Sequence, residues 1–248
     1  MPTSSPEELH RAAALISASD GVIIAAGAGM GIDSGLPDFR GPHGFWAAYP
    51  ALGAAALRFE EVADPAMFTR DPRLAWGFYG HRLALYRQTV PHEGFEILRR
   101  IGARRPRGFA VFTSNVDGQF QKAGYQEVTE CHGSIHWLQC SRPCGAALWP
   151  ATDFSPLVDA ASCELLNEIP SCRHCGAIAR PNILMFNDMD WVQERTMAQE
   201  LRFDAWLQEL EKPVVIEIGA GTAVASVRAF SSRVIRHHGG RLIRNQPA

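Results

Sequence analysis

Apolar positions along the chain follow two patterns. Leu9, Ala13 and Ile16 fall on one face at helical spacing, and that segment opens with Ser5 as N-cap, Pro6 at the first helical position and Glu8 three residues after the cap, a capping box. Asp20-Gly21 ends this helix. Val22-Ile23-Ile24-Ala25-Ala26 then forms a short unbroken apolar run, as expected of a strand buried on both faces of a parallel sheet. Comparable runs recur at Phe109 to Thr113 and Val214 to Ile218, with a weaker one at Arg241 to Arg244, and helical stretches such as Asp71 to Gln88 lie between. Strands alternating with helices predict a doubly wound α/β domain. No fixed period recurs, which argues against a solenoid. Ile135 to Pro181 breaks the alternation: it holds five of the six cysteines, several prolines and no strong helical period, and reads as a small inserted module.

Composition narrows the classes. A chain of 248 residues with 46% apolar content can bury a substantial core, so disorder is not expected. Lys and Arg number 24 against 26 Asp and Glu, a balance that gives no global field for gripping nucleic acid or an anionic membrane, and neither is expected as a partner. The apolar run from Gly21 to Ile32 lies between Asp20 and Asp33 and is too short to span a hydrocarbon core of about 30 Å. Glu7 and Glu8 argue against a secretory signal, so a cytoplasmic location is expected. In a reducing compartment, cysteines are metal ligands or inert thiols more often than disulfides.

Four clusters carry candidate chemistry. Gly27-Ala28-Gly29-Met30-Gly31 follows a buried strand, where glycines admit close backbone approach and N–H groups at a helix start can cradle a diphosphate. The plainer reading is an ordinary strand-to-helix turn; Asp38-Phe39-Arg40 shortly after it adds a carboxylate, an aromatic face and a guanidinium. Thr113-Ser114-Asn115-Val116-Asp117 sits at the end of the second strand, where ligands collect in open α/β sheets, although Asn and Asp also form turns there for purely local reasons. His132, after a short β-like stretch and before the cysteine module, has the titration range of a general base, and a cleft between two domains could form there. Cys140-x3-Cys144 and Cys172-x2-Cys175, with 27 residues between the pairs, suit a closed four-thiolate zinc site of structural type. Cys131 and Cys163 have no place in that set.

Taken in order, these segments resemble the sirtuins, NAD-dependent protein-lysine deacylases, here of bacterial type. The resemblance runs through Gly27 to Gly41, Thr113 to Asp117, His132-Gly133-Ser134, the paired cysteines, Arg180-Pro181 to Phe186, Ile218-Gly219 onward and Leu242 to Asn245. It implies a Rossmann-like parallel sheet over 1–134 and 183–248, with a helical insertion at about 42–90, and a small zinc-binding domain over 135–182. It implies NAD as co-substrate, one structural zinc, acylated-lysine proteins or peptides as partners, and release of nicotinamide and O-acyl-ADP-ribose. Position by position, Gly27, Ala28 and Gly29 would line the diphosphate site, Asp38, Phe39 and Arg40 would surround the nicotinamide, and Ser114 would lie in the same pocket. Asn115 and Asp117 would hold the ribose and carboxamide, and His132 would act as base on a ribose hydroxyl. Gly219 and Gly221 would serve the adenosine half, with Asn245 at its ribose. Phe186 would open the loop that pairs with an extended substrate.

Tyr79-x2-Arg82 is similar to the pair with which some sirtuins hold acidic acyl groups, so succinyl and malonyl join acetyl as candidates; an exposed helical pair is the equally weighted alternative. The chain departs from the family at Gly31 and Gly221, each in place of Ser, at Ser114 in place of Gln, at Phe120 in place of a common His and at Asn187-Asp188 in place of Gly-Glu. Its first cysteine pair has one extra intervening residue. Three residues follow Asn245, so an adenine pocket short of one wall is expected. The departures keep two further readings open: an NAD glycohydrolase or ADP-ribosyltransferase, and a non-catalytic NAD or ADP-ribose sensor.

Overall fold

A computed structural model describes residues 5–37, 42–221 and 224–245. The sheet is built from the apolar runs: β1 (Gly21–Ala26), β2 (Phe109–Thr113), β3 (Val128–Glu130), β9 (Pro213–Ile218) and β10 (Arg241–Asn245) lie parallel in the order β10-β9-β1-β2-β3. Every residue of β1 is buried, which is why its sequence does not alternate. On one face Val22 and Ile24 pack with Phe95, Leu98 and Phe120. On the other, Ile23 and Ala25 meet Phe203, Leu207, Val227 and Phe230. Each large apolar side chain so buried contributes about 2 kcal/mol, enough to fix the strand between its two helical layers.

The helices of these layers are α1 (Pro6–Ala18), α7 (Glu93–Ala103), the short α8 (Gln119–Lys122), α9 (Glu194–Gln208) and α10 (Ser226–His238). The capping box of α1 forms as its sequence predicts: Glu8 N–H donates to Ser5 Oγ at 3.2 Å and Ser5 N–H donates to the Glu8 carboxylate at 2.8 Å. Its buried face differs from the expected one. Leu9 is 60% exposed and Ala13 is exposed, whereas Leu15 and Ile16 lean on the sheet, so the docking stripe is rotated toward the end of the helix.

A third core lies outside the sheet. Between β1 and α7 run α2 (Pro42–Ala48), α3 (Pro50–Ala54), α4 (Phe59–Val62), α5 (Met67–Arg70) and the long α6 (Pro72–Gln88), whose N-cap Asp71 accepts from Leu74 N–H. Between β3 and α9 run β4 (Gly133–Cys140), β5 (Trp149–Pro150), β6 (Val158–Asp159), β7 (Glu164–Leu165) and β8 (Ala179–Ile183). Strands β5-β4-β8 form one antiparallel sheet and β6-β7 a two-stranded one. The two segments share one apolar cluster, in which Phe45, Trp76 and Phe78 meet Ile135, Leu165 and Ile183. Trp76 Nε1 donates to Ala179 O at 2.9 Å. Where α6 crosses the turn at Cys163 only glycine fits, because a Cβ on Gly77 would come within 1.9 Å of Cys163 O. Among the described residues no helix is long and apolar enough to cross a membrane.

Candidate active site

Chain order reverses around β1, which has β9 on one side and β2 on the other, so a crevice opens at the carboxyl ends of these strands. Thr113 folds the chain over that end. Its hydroxyl donates to Ala26 O at 2.9 Å and accepts from Asn115 N–H at 3.0 Å, while Ser114 N–H also donates to Ala26 O. Asn115 Nδ2 then donates to Gly27 O at 3.0 Å. Ser114 Oγ and Asn115 Oδ1 remain buried with no hydrogen-bond partner among the described residues, a costly arrangement that a polar ligand would relieve.

Asp117 accepts from Gln119 N–H at 2.9 Å. Burial pushes its carboxyl up to about 6; the Gln119 amide opposes that rise, Glu130 adds to it and Arg82 counters it. His132 follows β3, and its Nε2 lies 3.0 Å from the Ser226 hydroxyl at the start of α10. Ser114, Asn115, Asp117 and His132 line a single cavity of about 310 Å³, together with Ala28, Tyr79, Arg82 and Phe186.

The glycine turn is arranged differently from a helix start with open N–H groups. Ala28–Ser34 is a 3₁₀ helix, and the amides of Gly27, Gly29 and Met30 donate to Ile218, Gly219 and Gly27 carbonyls, each at 3.0 Å. Gly29 and Gly219 explain each other: a Cβ on Gly219, at φ +61°, would reach Met30 N at 2.2 Å. These glycines weld the turn after β1 to the turn after β9, and of the turn only Ala28 faces the cavity. Gly31 abuts Leu36, where a Cβ would sit 2.9 Å from the movable Cδ1 end of that side chain, and Phe120 packs in the core against Phe95, which gives the departure at Phe120 a packing reason. Gly221 is exposed, and a Cβ added there would meet nothing within 4 Å among the described residues. Asn245 is exposed at the end of β10 opposite Ile218. Asp38, Phe39 and Arg40 lie outside the described residues.

Tyr79 and Arg82 are 1% and 9% exposed, so the exposed-pair alternative fails. Arg82 donates from Nε and Nη2 to the Tyr86 hydroxyl at 2.9 and 2.7 Å, and its guanidinium lies 5.2 Å from the Phe78 ring centre. Sequence reasoning missed Tyr86; its spacing of seven from Tyr79 and four from Arg82 on one helix face was the available signal. Phe186 is 41% exposed at the rim, edge-on to Phe59. The amides of Leu184, Met185 and Phe186 donate to His132 O, the Asp188 carboxylate and Ala63 O. Asp188 in turn holds Arg180 through two bonds of 2.7 and 2.8 Å, with side chains 0% and 1% exposed. A buried ion pair therefore pins the wall beside His132.

The four cysteines gather at the end of β4 and in the hairpin before β8. Cys140 and Cys175 sulfurs are 3.5 Å apart, Cys144 and Cys172 sulfurs 3.7 Å, and all four lie within 4.8 Å of one another. Tetrahedral zinc with Zn–S bonds near 2.3 Å separates its sulfurs by about 3.8 Å, so the donor set fits that ion. The longer first spacer is taken up by a turn in which Cys144 N–H donates to Arg142 O. At Cys172 burial pushes the thiol up but is outweighed by the Cys175 and His174 amides and the Cys140 and Cys144 thiols, leaving it at about 7.

The sequence pattern of the Sir2 family matches residues 27–226. The chain belongs to the Sir2 family. This Sir2-family chain is 33% identical over 184 residues to the NAD-dependent protein deacylase of Aquifex aeolicus (strain VF5), a match covering 74% of this chain and 69% of that one. It is 28% identical over 229 residues to the mitochondrial NAD-dependent protein deacylase sirtuin-5 of Danio rerio, covering 86% and 70%. A solved Sir2 homologue–NAD complex shares the fold with a TM-score of 0.69 at 23% identity, over 99% of this chain and 84% of that one.

Proposed function

We propose that this Sir2-family protein removes acyl groups from protein lysines at the expense of NAD. Acyl-lysine, NAD and water would give free lysine, nicotinamide and O-acyl-ADP-ribose. The observation that carries this reading is the meeting of Ser114, Asn115, Asp117 and His132 around one cavity whose wall also includes Tyr79 and Arg82.

When bound, NAD would supply the ribose carbon that loses nicotinamide and the ribose hydroxyl that receives the acyl group. The orphaned Ser114 hydroxyl and Asn115 carbonyl suit the nicotinamide amide and ribose, and Asp117 stands beside them as a further acceptor. His132 would take a proton from a ribose hydroxyl; the Ser226 contact keeps its Nε2 oriented toward the start of α10. On the family resemblance, Ala28 would face the diphosphate with Gly27 and Gly29 holding its turn in place, Asp38, Phe39 and Arg40 would surround the nicotinamide, and Gly219, Gly221 and Asn245 would serve the adenosine half. Phe186 borders the peptide path, where a substrate strand meets carbonyls because the local amides are already used. Tyr79 and Arg82 give the acyl end a guanidinium and a phenol, which supports acetyl, succinyl and malonyl as candidate groups.

Two lobes follow from this reading: a sheet domain from 1–134 and 183–248, and a cysteine module over 135–182 that shares its core with the helical segment 42–90. One zinc on Cys140, Cys144, Cys172 and Cys175 holds the module in shape without touching substrate, since four thiolates close its coordination. A reducing cytoplasm suits six free cysteines.

The test is incubation with NAD and acetyl-, succinyl- and malonyl-lysine peptides, read by mass spectrometry. NAD-dependent appearance of free lysine and O-acyl-ADP-ribose is expected. Absence of lysine release from every acyl peptide refutes the reading; nicotinamide release without peptide would instead mark a glycohydrolase.

A further inference from the structure

The planar edge of an arginine formed by Nε and one Nη is the edge that takes a carboxylate through two parallel bonds. In this protein the Nε and Nη2 of Arg82 converge instead on one phenol oxygen, that of Tyr86, at 2.9 and 2.7 Å. Arg82 is 9% exposed and Tyr86 4% exposed, and both line the cavity beside Tyr79. Tyr86 is itself held at the end of α6, where its carbonyl accepts from Gln119 Nε2 at 3.0 Å. The hydroxyl is thus built into the place a ligand carboxylate oxygen would occupy.

We infer that Tyr86 is a specificity-determining residue of the acyl pocket: its hydroxyl competes with the acyl carboxylate for the Arg82 fork and so sets the preference between neutral and acidic acyl groups. This rests on the deacylase reading. A phenol oxygen is uncharged and accepts the two N–H groups at a single atom, whereas a carboxylate brings a full charge and one oxygen for each N–H. While Tyr86 holds the fork, an acidic acyl group must displace it or use another edge of the guanidinium, and a neutral acyl group meets no such competition. Removing the hydroxyl takes away the single oxygen on which Nε and Nη2 converge, and an acyl carboxylate can meet the same two N–H groups with one oxygen each.

The experiment compares kcat/KM for succinyl-lysine and acetyl-lysine versions of one peptide in the wild type, Tyr86→Phe, Arg82→Met and the double variant. The succinyl-to-acetyl ratio is expected to rise at least about tenfold in Y86F, equivalent to about 1.4 kcal/mol, to fall below the wild-type value in R82M, and to show no rise when Y86F is added to R82M. An unchanged or lower ratio in Y86F overturns the inference, as does an equal rise with and without Arg82. If Y86F turns over neither peptide, the same ratio is read from equilibrium binding of the two peptides to the folded variant, with Tyr86→Leu as a second hydroxyl-free side chain and the same expected rise. Failure of the wild type to release lysine from any acyl peptide defeats the deacylase reading instead, and is distinguishable from all of these.

Discussion

Replacing Asp188 by Asn removes one charge from a pair that is sealed from water while keeping the volume of the side chain. The partners are 0% and 1% exposed and joined by two short bonds, and the same carboxylate accepts from Met185 N–H at 3.3 Å. Arg180 Nε has no partner of its own among the described residues, so the carboxylate is the main compensation for a fully buried guanidinium. Stripping one partner from such a pair costs about 3–5 kcal/mol, because the surviving ion stays desolvated without its counter-charge. In a domain of this size that is a drop in Tm of about 6–20 °C. Thermal and urea unfolding of D188N against the wild type gives the number directly. The double variant Arg180→Met with Asp188→Leu should recover most of the loss, since an apolar pair of similar volume has no charge to desolvate. A D188N shift below about 3 °C, or a double variant no more stable than the single one, would refute the reasoning. Because this pair pins the segment whose Leu184 amide bonds His132 O, D188N should also raise KM for acyl-peptide.

Three further outcomes are expected. His132→Ala should abolish lysine release while the melting profile stays close to wild type; retained turnover would take the imidazole out of the base role. Metal analysis should find about one zinc per chain, and Cys172→Ser or strong chelation should unfold the cysteine module, seen as protease cleavage within 135–182; a fully active metal-free protein would contradict the assignment. Asp117, held up at about 6 by burial, keeps its proton in the native state through the window from about pH 4 to 6 where the unfolded chain loses it, so its contribution to stability falls as pH rises across that window and levels off above it. The Tm of Asp117→Asn minus that of the wild type should therefore grow from pH 4 to 7; a constant difference would show that the carboxyl titrates normally.

Local signals carry the sheet and fail at its surroundings. β2 spans the same five residues as its apolar run, and Ser5, Pro6 and Glu8 form the cap their types predict, because strand burial and capping are decided within a few residues. The docking face of α1 departs from its apolar spacing, since Leu9 is 60% exposed and only the tertiary position of the sheet selects Leu15 and Ile16. The short helices α2 to α5 carry too few turns for a period, and α2 and α4 set Phe45 and Phe59 against Phe78 of α6. At the site, the cysteine cluster is legible from spacing alone. The purpose of Gly29 is not, because the atom it makes room for belongs to Gly219, 190 residues later. The same holds for Glu130, whose carboxylate meets Arg195 from α9, and for Arg180 with Asp188, where no periodic pattern marks a buried charge.

The core that α6 shares with the cysteine strands has a consequence for synthesis. Trp76 reaches its partner Ala179 across 103 residues of chain. At roughly 5–20 residues per second, the nascent polypeptide carries its aromatic helices without their cover for about 5–20 s. Ribosome-bound chains halted near β2 should therefore recruit chaperones that bind exposed apolar surface, and chains halted beyond β8 should shed them.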